Sequence, residues 1–231
     1  MNENGLCPES ELVDYFYKHF YKSVFEESSI AAKAYRRTHS LLEDRDFPRS
    51  ARILEIGAGN GQHLAFINTA YSEYIMLDPR RPSLDLISHE GMVRWVEGSA
   101  EDNNLQLGTF DRVIMTCVLH HVTDVAAVLR NISNWLVPGG TFSLFLPSDP
   151  GLLNRLNRKL YVNRRARRLG FLEYELVNAR EHRNHYWSLK TQLKFHFRGF
   201  QIDRRYFPLP IPLASASLFS IWHITKPKAD G

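Results

Sequence analysis

The residues best placed to do chemistry begin with Glu55, Gly57, Ala58, Gly59 and Gly61 in the run LEIGAGNG, which leaves an apolar strand and opens a helix. Glycines at alternate positions let the backbone turn sharply and approach a ligand closely, and a helix start offers unpaired N–H groups. A polar ligand is expected against this loop. Twenty-one residues after Gly57, Asp78 ends the next apolar run, where a carboxylate can accept hydrogen bonds from both hydroxyls of a ribose. Either feature alone fits a plain glycine turn or a helix-capping aspartate; together they point to a nucleoside. The spacing is Gly-x-Gly-x-Gly and not the Gly-x-Gly-x-x-Gly of a dinucleotide site, which argues against a dehydrogenase.

The elements that must carry these residues alternate along the chain. ARILEIG, YIMLD, MVRWVEG, FDRVIMTCV and TFSLFL read as buried strands, separated by helical stretches at residues 63–71, 83–89 and 124–136. Such alternation implies right-handed crossovers and a parallel sheet. Pro138-Gly139-Gly140 marks the turn into the fifth strand. A helix near residues 188–197 and strands around FQIDRRYF and FSIWHITK follow. Ahead of the core, residues 10–27 place Leu12, Val13, Phe16, Tyr17, Phe20 and Val24 at helical steps, and residues 30–42 read as a second helix. The chain therefore divides into an N-terminal helical cap at 1–48 and an α/β domain at 49–231. That domain carries a basic insertion at about 150–187, after strand five.

Over residues 50–147, LEIGAGNG, LDP, GSAED, FDRVIMTCVLHHV and LVPGG occur in the order and spacing of a known family. The chain resembles the class I S-adenosylmethionine-dependent methyltransferases, and within them the small-molecule enzymes of the ubiquinone and menaquinone type. The resemblance implies a Rossmann-like, mostly parallel seven-stranded sheet in the order 3-2-1-4-5-7-6, with helices on both faces. It also implies S-adenosyl-L-methionine as methyl donor and S-adenosyl-L-homocysteine as product. By it, Glu55, Gly57, Ala58, Gly59 and Gly61 border the methionine portion, Asp78 binds the ribose and Pro79 flanks the nucleoside. Ala100 and Glu101 lie by the adenine, and Cys117 and Val118 lie under the sulfonium. Ser99 stands where the family often has aspartate, which moves adenine recognition onto the backbone and Glu101.

Methyl transfer from a sulfonium needs alignment and, for a hydroxyl acceptor, removal of a proton. Histidine is the natural base near neutral pH. The candidates are His120 and His121 after strand four, and His182 and His185 in the insertion, with packing or solvated roles as the plainer alternative. Tyr35, Arg36 and His39 in the second helix and Arg183 in the insertion are candidate acceptor contacts.

Residues 152–169 hold seven basic side chains and no acid, and removing those seven takes the remaining net charge from +4 to −3. Three readings follow: a solvated lid whose Leu153, Leu156 and Leu160 pack on the core, an anionic acceptor gripped by arginine forks, or an anionic membrane surface. The expected function is methylation of a small-molecule or glycan-type acceptor, with the oxygen of an anionic or sugar-containing substrate favoured. Carbon or nitrogen methylation of a membrane-associated quinone or lipid is the alternative, and a donor-binding regulatory module without turnover is a third class. Nucleic acid is disfavoured, because strand four ends in Thr116-Cys117-Val118-Leu119 and not in an Asn/Asp-Pro-Pro-aromatic segment. Cys7 and Cys117 show no metal-ligand spacing, so no metal is expected, and no stretch reaches the roughly 18 apolar residues of a membrane span. The expected location is cytoplasmic, with peripheral membrane contact as the alternative.

Overall fold

The structure is a computed structural model that describes residues 11–23, 30–80, 92–211 and 213–228, without the side chains at 30, 31, 34 and 35. Seven strands, β1 (Ala51–Ile56), β2 (Tyr71–Asp78), β3 (Val93–Glu97), β4 (Phe110–Thr116), β5 (Leu136–Pro147), β6 (Gln201–Phe207) and β7 (Phe219–Thr225), form one sheet. Their order is β3-β2-β1-β4-β5-β7-β6, as the resemblance implies. β1 to β5 pair in parallel, with Leu54 opposite Ile75 on one side and Val113 on the other. β7 runs antiparallel to both neighbours, with Trp222 opposite Leu144 on β5. The central strands are covered on both faces, which is why they read as nearly continuous apolar runs.

Alternation along each strand divides the buried residues between the faces. Leu54, Val113, Leu144 and Trp222 face α3 (Val125–Trp135) and α7 (Tyr186–His196) in the largest core cluster. Asp124 starts α3 by accepting the Ala127 N–H at 2.9 Å, the role of an N-cap carboxylate.

The other face carries Ile53, Glu55, Tyr74, Arg112, Ser143 and His223. α2 (Ile30–Leu42) packs over it against β5 and β7. At its end the fully buried Arg112 donates to both Glu43 oxygens, at 2.8 and 2.6 Å, and to the Leu42 carbonyl at 3.1 Å. His63 donates Nε2–H to Glu43 at 3.0 Å, so its Nδ1 accepts from His39 Nδ1–H at 2.8 Å. Burial alone would raise the Glu43 pKa, but the bonds from His63 and Arg112 hold it at about 2.

One element differs from expectation. After β1 the chain forms only a 3-10 turn, Gln62–Phe66, and not a helix through residue 71; Gly61 enters it left-handed and Ile67 leaves it extended, while Tyr71 begins β2. The expected helix at 83–89 lies outside the described residues. α1 (Leu12–His19) is capped at Phe20, and residues 10 and 24–27 of the expected helix lie outside the described residues.

The insertion is helical through α4 (Leu152–Asn157), a π turn (Arg158–Val162) and α5 (Asn163–Arg168), followed by α6 (Tyr174–Glu181). Its inward residues are Val162, Ala166, Phe171, Tyr174 and Val177, which make a separate small core with Leu12 and Phe16 of α1. Leu156 and Leu160 do not pack down: they are 44% and 52% exposed.

Candidate functional site

β1, β2, β4 and β5 end along one edge, the place where open α/β sheets hold ligands. Beyond β1, Gly57 takes φ +68° and lies so close to Val118 that a Cβ here would stand 2.2 Å from its Cγ2. Gly59 also has positive φ, +51°, and a Cβ there would meet nothing within 4 Å, so the loop borders open space. Gly59 N–H donates to Asp78 Oδ2 at 2.9 Å and Arg80 N–H donates to Oδ1 at 2.8 Å. The carboxylate at the end of β2 is thus held beside the glycine turn, with lone pairs remaining for ribose hydroxyls. A glycine-rich turn next to a fixed carboxylate fits an S-adenosyl nucleoside. Glu55, 1% exposed, accepts from Tyr74 Oη–H at 2.7 Å, and burial pushes its pKa up to about 8 against that bond.

Ala58 and Gly61 are buried in the turn, and Pro79 is exposed at the end of β2. Ala100 is buried, its carbonyl accepting from Asn131 Nδ2 at 2.9 Å, and Ser99 Oγ accepts the Glu101 N–H at 3.2 Å. The Glu101 carboxylate turns to the loop after β4 and accepts from Thr123 N–H (2.8 Å) and Asp124 N–H (3.2 Å), so it braces two loops to one another. Cys117 follows β4 at φ +56°, a conformation that costs a non-glycine residue about 1 kcal/mol or more, and its N–H is tied to the Phe145 carbonyl at 2.9 Å. Burial pushes its thiol pKa up. This strained residue delivers Val118 onto Gly57.

Two residues further on, His120 and His121 meet His182, with ring centroids 4.0 Å (120 to 121), 4.4 Å (120 to 182) and 5.4 Å (121 to 182) apart. Segment 182–186 is stitched over the loop after β4: Asn184 N–H donates to the His120 carbonyl (3.1 Å), Asn184 Nδ2 to the Val122 carbonyl (2.7 Å) and Arg183 Nη1 to Thr123 Oγ1 (2.9 Å). His121 Nδ1–H donates to the Glu181 carbonyl at 2.9 Å. His182 Nδ1–H donates to Asp149 Oδ2 at 3.2 Å, and Arg158 Nη1 to the same oxygen at 2.9 Å. Burial first, then the neighbouring rings, drive the His120 pKa well below its usual value. Burial, His182, Arg80 and Arg183 take His121 down to about 4 although the Glu181 bond opposes them. Both rings are neutral at pH 7.

The remaining candidates separate. His185 is exposed at the start of α7 and stands outside the cluster. His39, 1% exposed, sits in the network beneath α2 against His63, Phe66 and Phe145, which places it as a core residue and corrects its expected place among acceptor contacts. Arg36 is exposed on α2, and the Tyr35 side chain lies outside the described residues. Sequence reasoning did not find Asp149, Glu181, Tyr17 or Arg80. Tyr17 Oη–H donates to Glu181 Oε2 at 3.3 Å, and the Arg80 guanidinium lies 4.8 Å from the Tyr17 ring centroid, so α1 crosses from the end of β2 to the insertion. Asp149 carried a usable signal: it follows β5 at the edge where Asp78 ends β2.

Residues 54–144 match the family described as Methyltransferase domain. Over that segment the chain resembles a methyltransferase domain. The chain's sheet order is that of the Rossmann-like methyltransferase fold. An uncharacterized methyltransferase, YcgJ, of Bacillus subtilis (strain 168) is 30% identical over 119 residues, which cover 46% of this chain and 47% of that one, so the chain spans about half the length of that curated relative. Among solved structures, a SAM-dependent methyltransferase of Thermotoga maritima, described as a possible histamine N-methyltransferase, superposes with a TM-score of 0.62 at 17% identity, covering 94% of this chain and 98% of that one. The 1,6-didemethyltoxoflavin-N1-methyltransferase of Burkholderia thailandensis, with its substrate and S-adenosylhomocysteine bound, gives 0.61 at 18% identity over 96% and 92% of the two chains. At these identities the likeness is one of fold.

Proposed function

We propose that the chain is an S-adenosylmethionine-dependent methyltransferase acting on an oxygen of a small anionic or sugar-containing acceptor. The observation that carries the reading is the Asp78 carboxylate held on the Gly59 N–H beside a glycine-rich turn, in a matched methyltransferase domain. S-adenosylmethionine supplies a methyl carbon made electrophilic by its sulfonium. Asp78 holds the ribose hydroxyls, the backbone at 57–61 borders the methionine portion, and Ala100 lies by the adenine. Val118, locked against Gly57, sets the floor between donor and acceptor. On the acceptor side the imidazoles of His120, His121 and His182 face the reaction and deal with the proton that a hydroxyl must lose. An anionic acceptor is supported by Arg80 and Arg183, both near enough to His121 to depress its pKa.

The test is calorimetry with S-adenosylhomocysteine on the purified chain. The wild type is expected to bind, and Asp78→Ala and Asp78→Asn to lose at least about 100-fold in affinity, roughly 2.7 kcal/mol. Unchanged affinity in both variants refutes the ribose placement.

A second reading, carbon or nitrogen methylation of a quinone or lipid at an anionic membrane, draws on the outward leucines of the insertion. Leu152, Leu156 and Leu160 are exposed among Arg155, Lys159, Arg164, Arg167 and Arg168. No helix among the described residues is long and apolar enough to cross a membrane, so such contact would be peripheral.

A further inference from the structure

The histidines at the sheet edge come from two distant stretches, yet one ring nitrogen from each lies within 4.8 Å of the other two. Two of the rings are oriented from behind. His121 gives its Nδ1–H to a backbone carbonyl and His182 gives its own to Asp149, which Arg158 holds in turn. In a neutral ring, each bond leaves Nε2 as a bare lone pair. The third ring, His120, is 5% exposed and its Nδ1 has no hydrogen-bond partner; Asp149 Oδ1, next to the cluster, is also buried without one. Buried polar atoms left unsatisfied cost about 1–3 kcal/mol each, and two around one cluster of bases point to something bound between them.

We propose that His120, His121 and His182 form a three-nitrogen site for a divalent first-row transition metal, with zinc as its reference ion. Imidazole nitrogens suit zinc, iron, cobalt or nickel, whereas calcium and magnesium take oxygens. Ligating histidines hand their second ring N–H to a carboxylate or a backbone carbonyl, the arrangement seen at His182 and His121. At zinc–nitrogen bonds of about 2.1 Å, tetrahedral ligand atoms stand about 3.4 Å apart, inside the 4.8 Å that bounds the separation of these ring nitrogens. Three protein ligands leave a fourth position open.

The use of that position rests on the methyl-transfer reading; the binding of the metal does not. An acceptor hydroxyl placed there, two residues beyond Val118, becomes more acidic and gives its proton to solvent water. Its oxygen lone pair then forms the bond to the methyl carbon while the carbon–sulfur bond breaks and that electron pair stays on sulfur. Oxygen methylation at neutral pH then needs no free histidine as base.

The experiment is titration of the full, tag-free chain, stripped with chelator, with Zn2+ by calorimetry and with Co2+ by visible absorption. One equivalent is expected to bind at micromolar Kd or tighter, and cobalt to show the d–d bands of a low-coordinate site. His121→Ala and His182→Ala each lose at least about 100-fold, Asp149→Asn about 10- to 100-fold, and His185→Ala nothing; circular dichroism checks that each variant folds. A wild-type chain with no cobalt bands and no zinc heat, or zinc affinity unchanged in both His121→Ala and His182→Ala, overturns the site. Metal binding without S-adenosylhomocysteine binding keeps the site and refutes methyl transfer. Donor binding without metal does the reverse, leaving His182, oriented by Asp149, as the proton acceptor.

Discussion

Gly57 is the residue on which the chain turns after β1. Any side chain there meets Val118 at 2.2 Å in a backbone region that disfavours L residues, so Gly57→Ala combines overpacking with strain. A loss of about 2–4 kcal/mol is expected from thermal or urea unfolding, with S-adenosylhomocysteine binding lost alongside. Glu55 offers a pH test. Burial raises its folded pKa to about 8, far above an unfolded carboxyl, so the folded state holds the extra proton. Its contribution is therefore fully present below about pH 4.5 and is lost as pH rises toward 8. The melting temperature of Glu55→Gln is expected to change less across that window than the wild type's; parallel curves would remove Glu55 as the cause. The glycine turn and the carboxylate on the neighbouring strand were legible because both are local signals. The histidine cluster was half legible: four histidines were singled out, but nothing in spacing links His182 to His121 sixty-one positions earlier, or either to Asp149.

Among the elements, the decisive departure is the missing helix after β1. The stretch from His63 onward has helical spacing, yet Gly61 enters left-handed and Ile67 leaves extended, so only a 3-10 turn forms and α2 takes over that face of the sheet. The sequence could show α2 as a helix but not the ion pair that fastens it, because Glu43 and Arg112 lie far apart in the chain and only burial gives their contact weight. Glu43→Ala leaves the Arg112 guanidinium buried and unpaired, and about 3–5 kcal/mol of stability is expected to go. The double variant Glu43→Leu, Arg112→Met should regain a good part of it in urea titrations, since it removes both charges. A single loss below about 1 kcal/mol would mean that α2 is not fastened through this pair.

For the whole molecule, the alternation of strands and helices was readable from the rhythm of the chain and the sheet order came from the family resemblance, whereas the direction in which the insertion's leucines point was in neither. Helical spacing allows Leu153, Leu156 and Leu160 to share a face but does not say which; the packing of Val162 and Ala166 against α1 decided it. The outward leucines and arginines give the membrane reading a direct test. Flotation with phosphatidylglycerol vesicles should carry the chain upward, and Arg164→Glu with Arg167→Glu and Arg168→Glu should leave it at the bottom, at about 1 kcal/mol lost per arginine removed from the surface. A wild-type chain that never floats refutes that reading.

α2 precedes every strand in the chain, and the partners that cover it come late: Arg112 on β4, then β5, and finally β7 at residues 219–225. During synthesis the earliest of these pieces therefore waits for the last before its apolar side is shielded, with Leu42 and Glu43 lacking their native surroundings through most of translation. Maturation of this side of the sheet follows β7, and pulsed hydrogen exchange during refolding should show the amides of α2 gaining protection together with those of β7, after β1 and β4 have closed.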